Sequence, residues 1–244
     1  MKRELSNLIK LLYSAVIMSF LGFKNKYFKL INKDYGYTKF HSQFGEDRYI
    51  VENIEFLQKG VFIDIGAGHP TYLSNSYFFE KNGWKCLCID ADINQIELLK
   101  KERLNVEWAA ISLQEGEISF NQSFLPELSS TLQKDKYGGL IKIPFRDSVR
   151  VPAFRLETLL NKYNIGTIDI LDIDVEGTEL EVWKSFDYEK HKPKVVIIEY
   201  YGLGLGDNSE NFKNFFAKLP YKLVHTTCTN FIFVNHETSV KFLR

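Results

Sequence analysis

"GVFIDIGAGHP", residues 60–70, is an apolar run that ends in two glycines one residue apart, with Asp64 just ahead of the first. Apolar residues at successive positions suit a strand covered on both faces. A strand followed by Gly66, Ala67 and Gly68 suits a loop that lets backbone approach a ligand closely. A dinucleotide fingerprint asks for a third glycine where Thr71 stands, and Pro70 reads instead as the opening residue of a helix. A carboxylate beside the loop repels a pyrophosphate but complements a ligand bearing ammonium and sulfonium groups, of which S-adenosylmethionine is one.

Outward from that loop, short β-rich runs alternate with helical patterns. The further runs are "WKCLCID" (84–90), "VEWAAIS" (106–112), "TIDILDID" (167–174) and "KVVIIEYY" (194–201). Between them lie "TYLSNSYFFEKNG", closed by Gly83, and "DINQIELLKKERL", with Ile93, Ile96, Leu99 and Leu104 near helical spacing; "RLETLLNKYN" and "EGTELEVWKSF" follow. Alternation of this kind predicts a parallel sheet with crossover helices. "YKLVHTTCTNFIFVN" (221–235) holds two β-rich runs joined too tightly, around Thr229 and Asn230, for anything but an antiparallel pair. The fold expected is therefore α/β: a mostly parallel seven-stranded sheet whose last strand is reversed, with helices on both faces. That is the Rossmann-like, class I methyltransferase architecture. Residues 115–154 interrupt the rhythm and read as an insertion that could shape an acceptor pocket.

The chain has 244 residues, 45% apolar and 25% charged, with 31 acids against 31 bases. No global field draws it to nucleic acid. Cys86, Cys88 and Cys228 are an odd set without metal-type spacing, which points to a reducing, cytoplasmic setting. Residues 1–40 form a separate appendage: "LLYSAVIMSFLGF" (11–23) is uncharged, with Lys2, Arg3 and Lys10 before it and Lys24 and Lys26 after. Thirteen residues are too short to span a bilayer, so residues 1–24 read as a helix lying on the inner membrane face or docked on protein.

The second strand ends in Asp90, where a carboxylate can accept from both ribose hydroxyls of a nucleoside. Ala91 follows it, and Asp92 could share the ribose role or cap the next helix. Ala110 leaves room for a flat adenine ring, and His69 could meet the cofactor's carboxylate or the acceptor. "TIDILDIDVEG" brings Asp172, Asp174 and Glu176 to the carboxyl edge of the sheet, and "VVIIEYY" brings Glu199. Four acids in one pocket require a shared proton or a cation. Asp174 is the candidate base for removing a hydroxyl proton, with Glu176, Glu199 and Asp172 beside it; Asp174 and Glu199 could alternatively hold a hard ion such as Mg²⁺. Glu179 and Glu181 read as a solvated helix face, and Asn230 opens the last strand with no role beyond the turn.

"SQFGEDRYI" (42–50), "VFIDIGAGHPTYLSNSYFFEKNGWKCLCIDAD" (61–92), "IDILDIDVEGTELEVWKSF" (168–186) and "PKVVIIEY" (193–200) resemble FkbM-type methyltransferases, a likeness running from about Ser42 to Asn235. The resemblance implies S-adenosylmethionine-dependent O-methylation of a hydroxyl on a sugar, glycan, glycolipid or polyketide. It also implies that Gln43, Glu46 and Asp47 fold over the amino-acid end of the cofactor. Asp172 stands where that family often has lysine, and Asp90-Ala91 where it often has Glu-Pro. Two other readings compete: a nicotinamide-dependent sugar dehydrogenase or epimerase, disfavoured by the missing third glycine, and a membrane-attached binding module without catalysis.

Overall fold

The computed structural model describes residues 40–56, 58–123, 129–131, 145–202, 206–237 and 241–242. The appendage expected over residues 1–40 lies, up to residue 39, outside the described residues, as do 124–128 and 132–144 of the insertion.

Seven strands form the central sheet: β1 (Val61–Ile65), β2 (Lys85–Asp90), β3 (Val106–Trp108), β4 (Ile170–Ile173), β5 (Val195–Glu199), β6 (Tyr221–Thr226) and β7 (Asn230–Asn235). Their order across the sheet is β3-β2-β1-β4-β5-β7-β6. β7 runs antiparallel to both of its neighbours, and every other strand runs one way. Seven described helices accompany them: α1 (Glu46–Asn53), α2 (Tyr77–Lys81), α3 (Ile93–Glu102), α4 (Leu156–Lys162), α5 (Glu179–Lys184), α6 (Tyr188–His191) and α7 (Ser209–Phe216).

Strand side chains alternate faces, which divides each apolar run between two cores. Ile63, Ile65, Leu87, Leu171, Val196, Ile198 and Phe233 pack with Leu156, Leu159, Val182, Trp183 and Phe216 of α4, α5 and α7. Phe62, Cys86, Ile170, Val195, Ile197 and Ile232 face the other way, against Ile50 of α1 and Phe78 and Phe79 of α2. Both faces are thus covered, as unbroken apolar strands require.

Three expectations need correcting. "VEWAAIS" is not one strand: β3 stops at Trp108, and Ala110–Ile111 joins a separate three-stranded sheet with Phe145–Phe154 and Gly116–Ser123 from the insertion. The break is fixed locally, since Ala109 N donates to Asp90 O at 3.0 Å and Trp108 Nε1 to Ala91 O at 3.0 Å. Pro70 does not open a helix. Thr71 to Ser76 is irregular chain, with Leu73 at φ 57°, because Arg103 Nη1 takes Pro70 O and His69 Nδ1 accepts from Thr71 N and Tyr72 N. The helical pattern at 92–104 is half outward: Ile96 and Leu99 are buried, whereas Leu104 lies past the helix and is 84% exposed. After β7, Lys241–Phe242 returns to pair with Ile54–Glu55.

Candidate functional site

The glycine loop is held where three strands end. Gly66 N and Ala67 N donate to Ile89 O at the end of β2, and Asp174 N donates to Ile65 O at the end of β1. Gly66 has φ 82°, and a Cβ there would sit 1.7 Å from Asp174 O, so any side chain would push the loops apart. Gly68, at φ 54°, faces open space: the nearest atom to its missing Cβ is Gly66 O at 3.9 Å. Its N–H donates to Asp90 Oδ2 at 2.8 Å, and Asp92 N donates to Asp90 Oδ1 at 2.8 Å. Burial pushes the Asp90 carboxyl up to about 6, against those two bonds.

Above this edge lies a cleft that opens to solvent. Gly66, Gly68, Asp90, Ala91 and Gln95 line one part, and Ala109, Ala110, Ile111 and Phe120 supply an apolar wall. Asp174, Glu176, Thr178, Ser129 and Thr131 line the remainder.

The acids form a cluster on one side of the sheet. Asp64 on β1 pairs in register with Asp172 on β4, and Glu199 on β5 pairs with Asn230 on β7. Oxygens of Asp174, Glu176 and Glu199 lie within 4.8 Å of one another. A side-chain hydrogen bond joins Asp174 and Glu199. Burial and the charges of Asp174, Glu176 and Glu179 drive Glu199 well above the usual carboxylate range, while burial lifts Asp174 only to about 6. Within this coupled pair the carboxyl of Glu199 is the one pushed further toward its protonated form. Glu176 adopts φ 56° in a buried turn, and Ser130 Oγ of the insertion clamps its carbonyl at 2.7 Å. A strained non-glycine turn of this kind is held only by its surroundings.

Asp172 is 2% exposed; Asn75 Nδ2 donates to its Oδ2 at 2.7 Å, and its Oδ1 has no partner among the described residues. Burial, then the charge of Asp64, push its carboxyl well up from the usual carboxylate range. Asp172 therefore supports the cluster from below and does not line the cleft.

Other expected residues fall elsewhere. Asp64 lies beneath the loop, where Ser76 Oγ donates to it and Arg103 offsets its charge. It does not line the cleft, so the complementary charge expected of it toward a cationic ligand is already taken. Asp92 caps α3 through Asn94 N at 2.9 Å. His69 is exposed and caps its own turn, and Ala67 packs with Cys88, Ile96 and Leu99. Gln43 is exposed; Asp47 accepts from His41 N and Ser42, closing its own loop. Glu46 is fully buried, accepting from Thr227 Oγ1 at 2.9 Å and Asn230 Nδ2 at 3.0 Å, and its charge reaches Asp172 and Asp174.

Two readings are overturned. Glu179 is not on a solvated face: it is 5% exposed, accepts from Gly177 N at 2.7 Å, and burial pushes it to about 7. Asn230 is no mere turn residue, being 3% exposed beside Glu199. Sequence reasoning also missed Arg103, the one buried lysine or arginine among the described residues, which pairs with Glu80 and reaches Ser74 and Ser76. Only its place near the end of a helical run marked it. The Tyr-x-x-x-Lys pair of sugar dehydrogenases, expected to be absent, does occur as a spacing at Tyr35 and Lys39, outside the described residues, at Tyr77 and Lys81 and at Tyr188 and Lys192, but neither described pair lines the cleft.

The profile of the methyltransferase FkbM domain matches residues 64–223, more than half of the chain. The chain belongs to the FkbM methyltransferase family. The match spans the glycine loop, Asp90 and the Asp174–Glu199 cluster, and a methyltransferase domain implies a methyl donor and an acceptor. Comparison with curated proteins gave no match, and comparison with solved structures gave none. No helix among the described residues is long and apolar enough to cross a membrane.

Proposed function

We propose that this FkbM-family protein is an S-adenosylmethionine-dependent O-methyltransferase acting on a hydroxyl of a sugar, glycan or glycolipid. The observation that carries the reading is one cleft with Gly66, Gly68 and Asp90 at one side and Asp174 at the other, with Glu199 behind Asp174. The strand order, with β7 reversed between β5 and β6, supports a Rossmann-like methyltransferase fold.

The cleft residues fit the donor. Gly68 leaves a bare backbone cradle, Asp90 keeps accepting capacity for ribose hydroxyls, and the apolar wall at Ala109, Ala110 and Phe120 suits a flat ring. When bound, S-adenosylmethionine supplies a methyl group on an electron-poor sulfonium. The acids Asp174 and Glu46, whose charges act on one another and on Asp172, supply a field that favours a cation. Asp174, ionised above pH of about 6, accepts the proton as the acceptor oxygen is methylated. Glu199 holds its own proton toward Asp174 and keeps that carboxylate oriented. The hydroxyls of Ser129, Thr131 and Thr178 line the side left for a polyol acceptor.

Asp174, Glu176 and Glu199 would also serve as oxygen ligands for a hard divalent ion, and Mg²⁺ is the natural candidate. We adopt the shared proton because the Asp174–Glu199 hydrogen bond relieves the repulsion unaided. Residues 1–24 would bring the protein to the cytoplasmic membrane face, where lipid-linked acceptors reside.

Incubation with methyl-labelled donor and a panel of glycan and glycolipid extracts tests the reading. Label on an acceptor hydroxyl, undiminished by EDTA, is expected; stabilisation by NAD alone with no label transferred would overturn it.

A further inference from the structure

Gln95 lies in the first turn of α3, five residues after Asp90, and lines the same cleft. The side chain is 9% exposed, yet its Oε1 is buried with no hydrogen-bond donor among the described residues. A buried carbonyl oxygen left unmatched is costly, and native proteins rarely keep one without a use for it. Ile89, Ala91, Ala109, Ala110, Ile111 and Phe120, which line the cleft with it, carry no polar donor save their backbone, and none of the described hydroxyls in the cleft bonds to it. The unmatched Oε1 therefore suits an N–H or O–H donor carried in by a ligand. Asp90 occupies the ribose-reading position on the same strand end, so the part of a nucleoside that reaches the apolar wall is its base.

We propose that Gln95 is a specificity residue whose Oε1 accepts a hydrogen bond from the exocyclic amine of the donor's adenine. This rests on the donor reading above and adds how the base is chosen. A base with a carbonyl at that position would set two acceptors face to face, so the site rejects a hypoxanthine ring while accepting adenine. A site built to receive a hydrogen bond discriminates strongly against a ligand that lacks the donor.

Calorimetric titration of the full chain with S-adenosylhomocysteine and with its deaminated analogue, S-inosylhomocysteine, tests this without any turnover. The wild-type protein is expected to prefer the adenine ligand by about tenfold or more. Gln95→Leu removes the acceptor and should bring the two affinities together, mainly by weakening S-adenosylhomocysteine. Gln95→Glu keeps an acceptor at the same place and should retain the preference, which a merely structural role for the side chain would not dictate. Should Gln95→Leu bind S-adenosylhomocysteine with unchanged affinity and unchanged preference, the inference falls while the donor reading stands. Wild-type protein that binds neither ligand overturns the donor reading and this inference with it.

Discussion

Two groups of buried acids, far apart in sequence, are brought to neighbouring strand ends of the sheet, and they are finished differently. Beneath the glycine loop, Asp64 and Glu80 are matched by Ser76 and by Arg103, whose side chain is fully buried. At the edge of the cleft, no lysine or arginine among the described residues pairs with Asp174 or Glu199, and that pair, close to Glu176, relieves its repulsion by a proton. A closed, balanced network serves the fold, because removing any member leaves a charge stranded. An unbalanced one is unfavourable to the fold and persists where chemistry uses it. Position on the strand end does not separate the two; the presence of a counter-charge does.

The largest effect expected on the open side is in turnover. Asp174→Asn should lower kcat by about 10²–10⁴-fold, the usual worth of a positioned base, while donor affinity by calorimetry stays near wild type. The same variant should melt no lower than wild type, since it removes a buried charge from a crowded cluster. On the closed side the effect is in stability. Arg103→Met should cost about 3–5 kcal/mol in urea unfolding, because Glu80 and Asp64 lose their partner in the interior. If Asp174→Asn destabilised the chain and Arg103→Met did not, the contrast between the two groups would be reversed.

pH tests the open cluster further. Asp174, raised to about 6, and Glu179, raised to about 7, bind protons in the folded chain that the unfolded chain has released. Their contribution is complete below about pH 4 and is lost as pH rises through 6 and 7. Glu157 works the other way: despite burial, bonds from Lys190, Asp187 N and His191 hold it to about 2, so its contribution is present above about 4.5 and lost as pH falls toward 2. Stability measured by urea titration should thus decline from pH 5.5 to 7.5, while turnover rises over the same range. Asp174→Asn should flatten part of both slopes.

Smaller effects mark the frame. Gly66→Ala should destabilise by about 1–3 kcal/mol and weaken donor binding, since its Cβ collides with Asp174 O at a positive φ. Gln43→Ala, at an exposed position, should change stability by less than about 0.5 kcal/mol and leave donor affinity unaltered. A marked loss of affinity in Gln43→Ala would return the N-terminal loop to the cofactor site.

Much of the frame was legible because its signals are local. The two-sided strands, Gly66 and Gly68, the carboxylates at 172–176 and the 221–235 hairpin follow from side-chain period and turn length. Gly83 closes α2 as its position implies, with φ 84°. What stayed hidden depends on partners far along the chain. Nothing near Asp64 announces Arg103, thirty-nine positions on, and nothing near Glu179 says that the 177–179 turn folds inward. The strand at 106–112 looked continuous because a change of sheet leaves apolar pattern intact; only the pairing of Ala110 with Ala153 reveals it. Pro70 misled for a related reason, since its carbonyl is claimed by a side chain from α3's far end.

The claim beneath all of this is that the cleft over Gly66, Gly68 and Asp90 takes a cationic methyl donor. Calorimetric titration of the full chain with S-adenosylmethionine, its homocysteine product and NAD measures that directly. Saturable binding of the first two at one site, lost in Gly68→Val and absent for NAD, is the expected result. Binding of NAD alone, or donor binding that survives Gly68→Val unchanged, would contradict it.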